Sequence, residues 1–206
     1  LSAIAVSEAP AMENQNDSQH QGFPDAFVRR AAPADAAAIA AVHVESWRST
    51  YAGMLPEQFL VRLSVDAYTA RWRRLLADRD RGRRTLIVQD SAGKAVGFAS
   101  CGPQRTGLHG YAGEFYAVYL LDQVHGSGWG RLLLGTMAQE LLKDGMRSAV
   151  VWVLRDNPAR WFYERLGGQL LAEQPITFAG TRLSEVAYGW DDLVPLSRCG
   201  AGPRVA

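Results

Sequence analysis

The feature that most limits the fold of this chain is the junction at residues 113–143. Gly113, Glu114, Phe115, Tyr116, Ala117, Val118, Tyr119, Leu120 and Leu121 form its run richest in aromatic and β-branched side chains, which predicts a strand. Glycines then stand at 126, 128 and 130, and Leu133, Leu134, Met137, Ala138 and Leu141 recur at helical spacing behind them. A strand that enters a helix through a glycine-rich turn commits the chain to layered α/β packing, because each must bury its apolar face on the other. The turn also directs backbone N–H groups outward at a helix N-terminus, where the dipole favours an anion without any charged side chain. A phosphate-bearing ligand is the expectation for this loop.

Other elements fall in order around the junction. Residues 27–30 read as a short strand, and Pro33 opens an alanine-rich helix running to about Arg48, with further helical spacing at Phe59, Leu60 and Leu63 and again from Ser64 to Leu76. Residues 85–89 and 95–100, separated by a turn at 90–93, predict a hairpin. Residues 148–154 are nearly continuously apolar, as a strand covered on both faces requires. Asn157-Pro158 starts a helix that ends at Gly167-Gly168, and residues 169–173 and 181–190 read as closing strands. Strict alternation along 114–121 puts Glu114, Tyr116, Val118 and Leu120 on one face and Phe115, Ala117, Tyr119 and Leu121 on the other.

Of the 206 residues, 22 are Lys or Arg and 21 Asp or Glu, so charge gives no general push toward nucleic acid or an anionic membrane. No apolar run approaches the roughly 18 residues a membrane span requires. Cys101 and Cys199 stand alone, without disulfide or metal-ligand spacing, which suits a reducing cytoplasm and predicts no metal. Polar residues 13–25 predict an unstructured lead-in over 1–25, one mixed α/β domain over 26–193 and a loose tail over 194–206.

Two common nucleotide motifs fail at the loop. A P-loop needs Gly-Lys-Ser/Thr, and Gly130 is followed by Arg131 and Leu132; a dinucleotide fingerprint needs Gly or Ala three residues after Gly128, where Arg131 stands. His125-Gly126-Ser127-Gly128-Trp129-Gly130 instead resembles the Gln/Arg-x-x-Gly-x-Gly/Ala loop of the Gcn5-related N-acetyltransferases. A second stretch, Asn157-Pro158-Ala159-Arg160-Trp161-Phe162-Tyr163-Glu164-Arg165-Leu166-Gly167, is similar to that family's second signature. The resemblance runs from Phe27 to about Asp192. Two departures stand out: His125 replaces Gln or Arg, and Gly168 replaces the usual Phe.

The resemblance implies a mixed, mostly antiparallel central sheet with helices on both faces, and acetyl-CoA as cosubstrate. Backbone groups of His125, Gly126, Ser127, Gly128, Trp129, Gly130 and Arg131 would hold its pyrophosphate, with Arg131 adding charge. The main chain of Val118 and Leu120 would meet the pantetheine arm along a splayed strand edge and stabilise the developing oxyanion. Asn157 would bond the same arm and Arg160 would reach cofactor phosphate. Tyr163 matches the family's general acid, and Glu114, eleven residues before His125, its general base.

The acceptor would be a primary amine of a small molecule or peptide, enclosed by an aromatic wall that includes Trp47 and Tyr51, with helix–helix packing as the alternative role of Trp47. Family members are often homodimers. Two rival readings remain: a non-catalytic acyl-CoA-binding module, and an RNA-associated protein using the arginines between Arg71 and Arg84. The second lacks interleaved stacking aromatics beyond Trp72, so no nucleic-acid partner is expected.

Overall fold

The computed structural model describes residues 27–78 and 82–200; the expected lead-in over 1–25, residue 26, the loop tip 79–81 and the last residues 201–206 lie outside the described residues. Seven strands, β1 (Phe27–Arg30), β2 (Arg84–Gln89), β3 (Ala95–Pro103), β4 (Gly113–Leu120), β5 (Ala149–Leu154), β6 (Gln169–Phe178) and β7 (Thr181–Trp190), form one sheet in the order β1-β2-β3-β4-β5-β7-β6. Neighbours run antiparallel except β4 and β5, which are parallel because a helix joins them. That helix is α4 (Trp129–Lys143).

The two faces of the sheet bury different cores. On one, α4 sets Leu133, Leu134, Met137 and Leu141 against Phe115, Val118, Leu120 and the apolar run of β5, joined by Phe162 and Tyr163 of α5 (Arg160–Arg165). On the other, α1 (Ala36–Thr50), α2 (Glu57–Val61) and α3 (Val65–Ala77) pack Ile39, Trp47, Tyr51 and Trp72 against Ile87, Phe98, Ala117 and Tyr119. Ser64 caps α3 by accepting from the Ala67 N–H. Burying a Leu or Ile side chain on either face contributes about 2 kcal/mol, so both layers are needed to hold the sheet.

Two expectations need correction. Alternation along β4 is broken between Tyr116 and Ala117: Ser100 pairs with Ala117 but Cys101 with Phe115, so Tyr116 is the extra residue of a β-bulge. Phe115 therefore joins Val118 and Leu120 on the α4 face, while Tyr116 lies with Ala117 and Tyr119 on the opposite side. Glu114 shares the Tyr116 side, not the Val118 side. The tail over 194–200 is also not loose. A short helix, α6 (Val194–Ser197), and a following 3-10 turn dock on α4, with Leu193 and Leu196 buried. Gly135 and Gly200 permit this contact, since a Cβ on Gly135 would stand 2.2 Å from the Gly200 nitrogen.

Candidate active site

β4 and β5 are paired only at Gly113–Ala149, Glu114–Val150 and Phe115–Val151; beyond these the ladder stops, and Trp152, Val153 and Leu154 pair with β7 alone. The far half of β4 therefore has a main-chain edge without a strand beside it. The Leu120 carbonyl points out of the ladder on this edge, where it meets the Ser46 hydroxyl at 3.3 Å and His125 Nε2 at 3.1 Å. Val118, two residues earlier, directs its N–H and C=O the same way.

The glycine loop closes the end of this edge. A 3-10 turn over Asp122–Val124 leads to Gly126 (φ +72°) and to Gly128 (φ +85°), which is the N-cap of α4. Both conformations disfavour any side chain with a Cβ, which explains these two glycines. The Ser127 hydroxyl donates to the Val124 carbonyl and braces the turn. Trp129 and Gly130 begin the helix buried, with the Trp129 ring in the α4 core, so what they can offer a ligand is backbone. His125 is turned inward to the Leu120 carbonyl, its Nδ1 3.8 Å from the Asp122 carboxylate.

Arg131 and Arg160 have neighbours outside the loop. Arg131 lines a groove with Arg165, Asp191 and Asp192, and the Arg160 guanidinium lies 4.1 Å from the centroid of the exposed Trp161 ring.

Across the splay stands a cluster of polar tips. Tyr163 is fully buried, edge-on to Trp190 and beside Tyr188. Asn157, also buried, accepts from the Ala159 N–H and so starts the turn that carries Tyr163. Tyr51, at the C-terminal end of α1, has Tyr119, Tyr163 and Asn157 as polar neighbours, and burial raises its pKa well above the ordinary tyrosine value. Tyr51 and the Asn157 to Gly167 stretch, far apart in sequence, thus meet at one point.

On the α1–α3 face, beside this cluster, lies a cavity of about 290 Å³. Aromatic rings of Trp47, Phe59, Tyr68, Trp72, Tyr119 and Phe178 wall it, with His43 at its base. Trp47 thus lines the cavity as expected, whereas Tyr51 stands behind it, T-shaped to its ring at 5.1 Å. His43 Nδ1 accepts from the Trp72 indole at 3.1 Å, and burial pushes its pKa down to about 3, so the ring is neutral. Arg48 lies outside, donating to the carbonyls of Leu60, Val61 and Leu63.

Besides Leu75, Tyr116 and Ala117 the remaining lining is cationic, which the sequence did not reveal. Arg71, Arg83 and Arg105 all reach the cavity. The guanidinium carbons of Arg105 and Arg83 lie 3.9 and 4.4 Å from the centroid of the Tyr116 ring. Arg105 is also held by Glu114, whose Oε1 accepts from Nη2 at 2.5 Å and whose Oε2 accepts from the Arg105 N–H at 2.9 Å. Glu114 is completely buried, and both of its oxygens are engaged. The carboxylate thus holds the Arg105 main chain and guanidinium together. Cys101 is buried beside α4, and burial pushes its thiol pKa far up, so it is a packing residue. Among the described residues no group of three or more His, Cys, Asp or Glu is placed to hold a metal ion, and no helix is long and apolar enough to cross a membrane.

Comparison with known proteins places this arrangement. Residues 105–176, which contain the bulged strand, the glycine loop and the Asn157 to Gly167 stretch, match the FR47-like protein family model. The chain is 40% identical over 169 residues to the uncharacterized N-acetyltransferase YuaI of Bacillus subtilis (strain 168), covering 82% of this chain and 95% of that one. Among solved structures, yncA of Salmonella typhimurium, determined with its cofactor acetyl-CoA, superimposes with a TM-score of 0.63 at 24% identity over 82% of this chain and 94% of that one. The ribosomal-protein-alanine N-acetyltransferase of Brucella melitensis gives 0.62 at 22% identity, over 80% and 98%. The PaiA N-acetyltransferase of Thermoplasma acidophilum, in complex with coenzyme A, gives 0.56 at 18%, over 79% and 98%. With a curated relative this similar over nearly its whole length, a shared fold, and both signatures on one groove, the chain belongs to the Gcn5-related N-acetyltransferase family.

Proposed function

We propose that this enzyme moves the acetyl group of acetyl-CoA to a primary amine by direct attack in a ternary complex. The observation that carries the reading is the half-open β4 edge ending in the Gly126–Gly128 turn at the N-terminus of α4. The residues fit the cosubstrate: a main-chain edge suits an extended amide-bearing arm, and outward N–H groups at a helix start suit a pyrophosphate. The neighbours solved with acetyl-CoA and with coenzyme A support assigning the groove in this way.

Acetyl-CoA supplies an activated thioester and a thiolate leaving group. The chain's own residues do the rest. The Val118 N–H donates to the acyl oxygen, while the backbone of 126–131 takes the phosphates and sets the depth of insertion. The Tyr163 phenol, positioned by the Asn157 turn, delivers the proton to the departing sulfur. The amine enters from the aromatic cavity beside Tyr119 and loses its proton to solvent at the cavity mouth, since Glu114 is engaged in holding Arg105.

Release of free thiol from acetyl-CoA, followed across amino acids, polyamines, aminoglycosides and peptide amino termini, tests the reading. Amine-dependent release well above the slow hydrolytic background is expected. Tight acetyl-CoA binding with no amine-dependent release would favour a non-catalytic acyl-CoA-binding module instead.

A further inference from the structure

The cavity beside Tyr119 combines an apolar wall with an excess of positive charge. Three arginines, Arg71, Arg83 and Arg105, line one space of about 290 Å³; Glu114 forms a salt bridge with Arg105 and is only a weaker electrostatic neighbour of Arg83. Arg83 is tucked inward, yet its side-chain hydrogen bond goes to the neutral Ser100 hydroxyl at 3.1 Å. No carboxylate among the described residues forms a salt bridge with Arg83 or Arg71. Glu185, the other buried acid on this side, is turned to the Gln174 amide at 2.7 Å, and burial raises its pKa.

Such a set is costly without a ligand. Burial chiefly depresses the Arg83 pKa; Tyr116 and, more weakly, Glu114 oppose that shift, while the like charges of Arg105 and Arg71 add to it. Stacking of Arg83 and Arg105 on Tyr116 fixes the two planes without neutralising either charge. Planar guanidinium groups held in this way suit the oxygens of a carboxylate or of a phosphorus oxyanion. They oppose a second ammonium group, which excludes a polyamine from the same space.

We propose that the acceptor is an amine carrying an oxyanion, a carboxylate or a phosphonate, bound by Arg71, Arg83 and Arg105 while the aromatic wall encloses its apolar part and directs the amine toward Tyr119 and the β4 edge. This rests on the acetyltransferase reading above. Glu114 is then a positioning residue: it sets Arg105 and does not touch the acceptor.

The experiment compares matched acceptors by thiol release: leucine against leucinamide, 1-aminoethylphosphonate against its diethyl ester, and spermidine. The anionic member of at least one pair should exceed its neutral partner by tenfold or more in kcat/KM, and the pair that shows it identifies which oxyanion is used. Arg71 is exposed on α3, so Arg71→Gln should fold; it should raise KM for the anionic acceptor about tenfold, the usual loss for one charge-assisted contact, and narrow the anionic-to-neutral ratio to match. Arg83→Gln serves as a second variant. Preference for the neutral partners or for spermidine would overturn the anionic acceptor and leave acetyl transfer standing. If no amine is acetylated, calorimetric titration of the acetyl-CoA-loaded protein with leucine and 1-aminoethylphosphonate decides separately: binding weakened by Arg71→Gln supports the anion site, and no binding overturns it.

Discussion

The glycine loop and the aromatic cavity lie on opposite sides of one strand, and they are built in opposite ways. The loop is nearly contiguous: residues 122–131 carry the turn, its hydroxyl brace and the start of α4. The cavity draws on α1, α2, α3, the approach to β2, the β3–β4 loop, β4 and β6, from His43 to Phe178. A phosphate grip can be made from backbone N–H groups, which any short stretch supplies once its φ values are set. A wall that selects one amine needs side chains of particular size and charge, and these must come from several elements at once. The shared half is therefore local, and the selective half is dispersed.

If this contrast is right, the largest single effect should come at the chemical step. Tyr163→Phe should lower kcat by roughly ten- to a thousandfold and leave acetyl-CoA affinity nearly intact, as expected for removal of a general acid. Steady-state kinetics beside equilibrium binding checks it, and unchanged turnover would remove Tyr163 from the mechanism.

Gly128→Val forces a β-branched residue to φ +85°, and should cost about 2 kcal/mol of stability together with a clear loss of acetyl-CoA affinity. Urea titration and cofactor binding measure the two losses. A variant that kept its affinity would show that the loop does not depend on this conformation.

On the cavity side, His43 offers a pH test. Its folded pKa of about 3 lies below the ordinary 6.5, so the unfolded chain takes up the proton first. The stability contributed by the neutral ring is complete above about pH 6.5 and falls by up to about 1.4 kcal/mol per unit as pH drops toward 3. Denaturant unfolding between pH 7 and 4 should show a component of this slope that His43→Gln lacks.

Glu114→Gln separates holding Arg105 from taking a proton. We expect acceptor KM to rise several-fold while the acidic limb of the pH–rate profile stays in place; loss of that limb would restore Glu114 as the base. The smallest change should come from Arg84→Ala, which breaks a part-exposed pair with Asp144 (2.7 Å) outside both regions and should alter stability by no more than about 1 kcal/mol.

Most strands and helices were legible because each has its own period. The nearly unbroken apolar run of β5 and the stripe on α4 are cases in point, and the β2–β3 hairpin fell close to where turn residues placed it, whereas β6 runs on to Phe178, past the expected end at Glu173. The bulge at Tyr116 was not legible. An extra residue in a strand leaves no mark on composition and exists only in the pairing with β3, yet it moves Glu114 and Tyr116 to the cavity side. The arginines mislead for a similar reason. Between Arg71 and Arg84 they look like a solvated helix end, but Arg71 and Arg83 come back to one cavity and meet Arg105 from another loop, while Arg84 turns to Asp144.

The sequence by itself determined the mixed α/β layering, the strand–loop–helix junction and the family, because these rest on local spacing and backbone preference. Only the tertiary structure decided that Tyr51, Asn157 and Tyr163 share one point, that His125 bonds the Leu120 carbonyl, that residues 193–200 dock on α4 through Gly135 and Gly200, and that three arginines line one aromatic cavity, one of them paired with Glu114. Those are contacts between distant residues. They depend on how the twisted sheet, its bulge and two helix layers bring side chains together, and no local pattern records that.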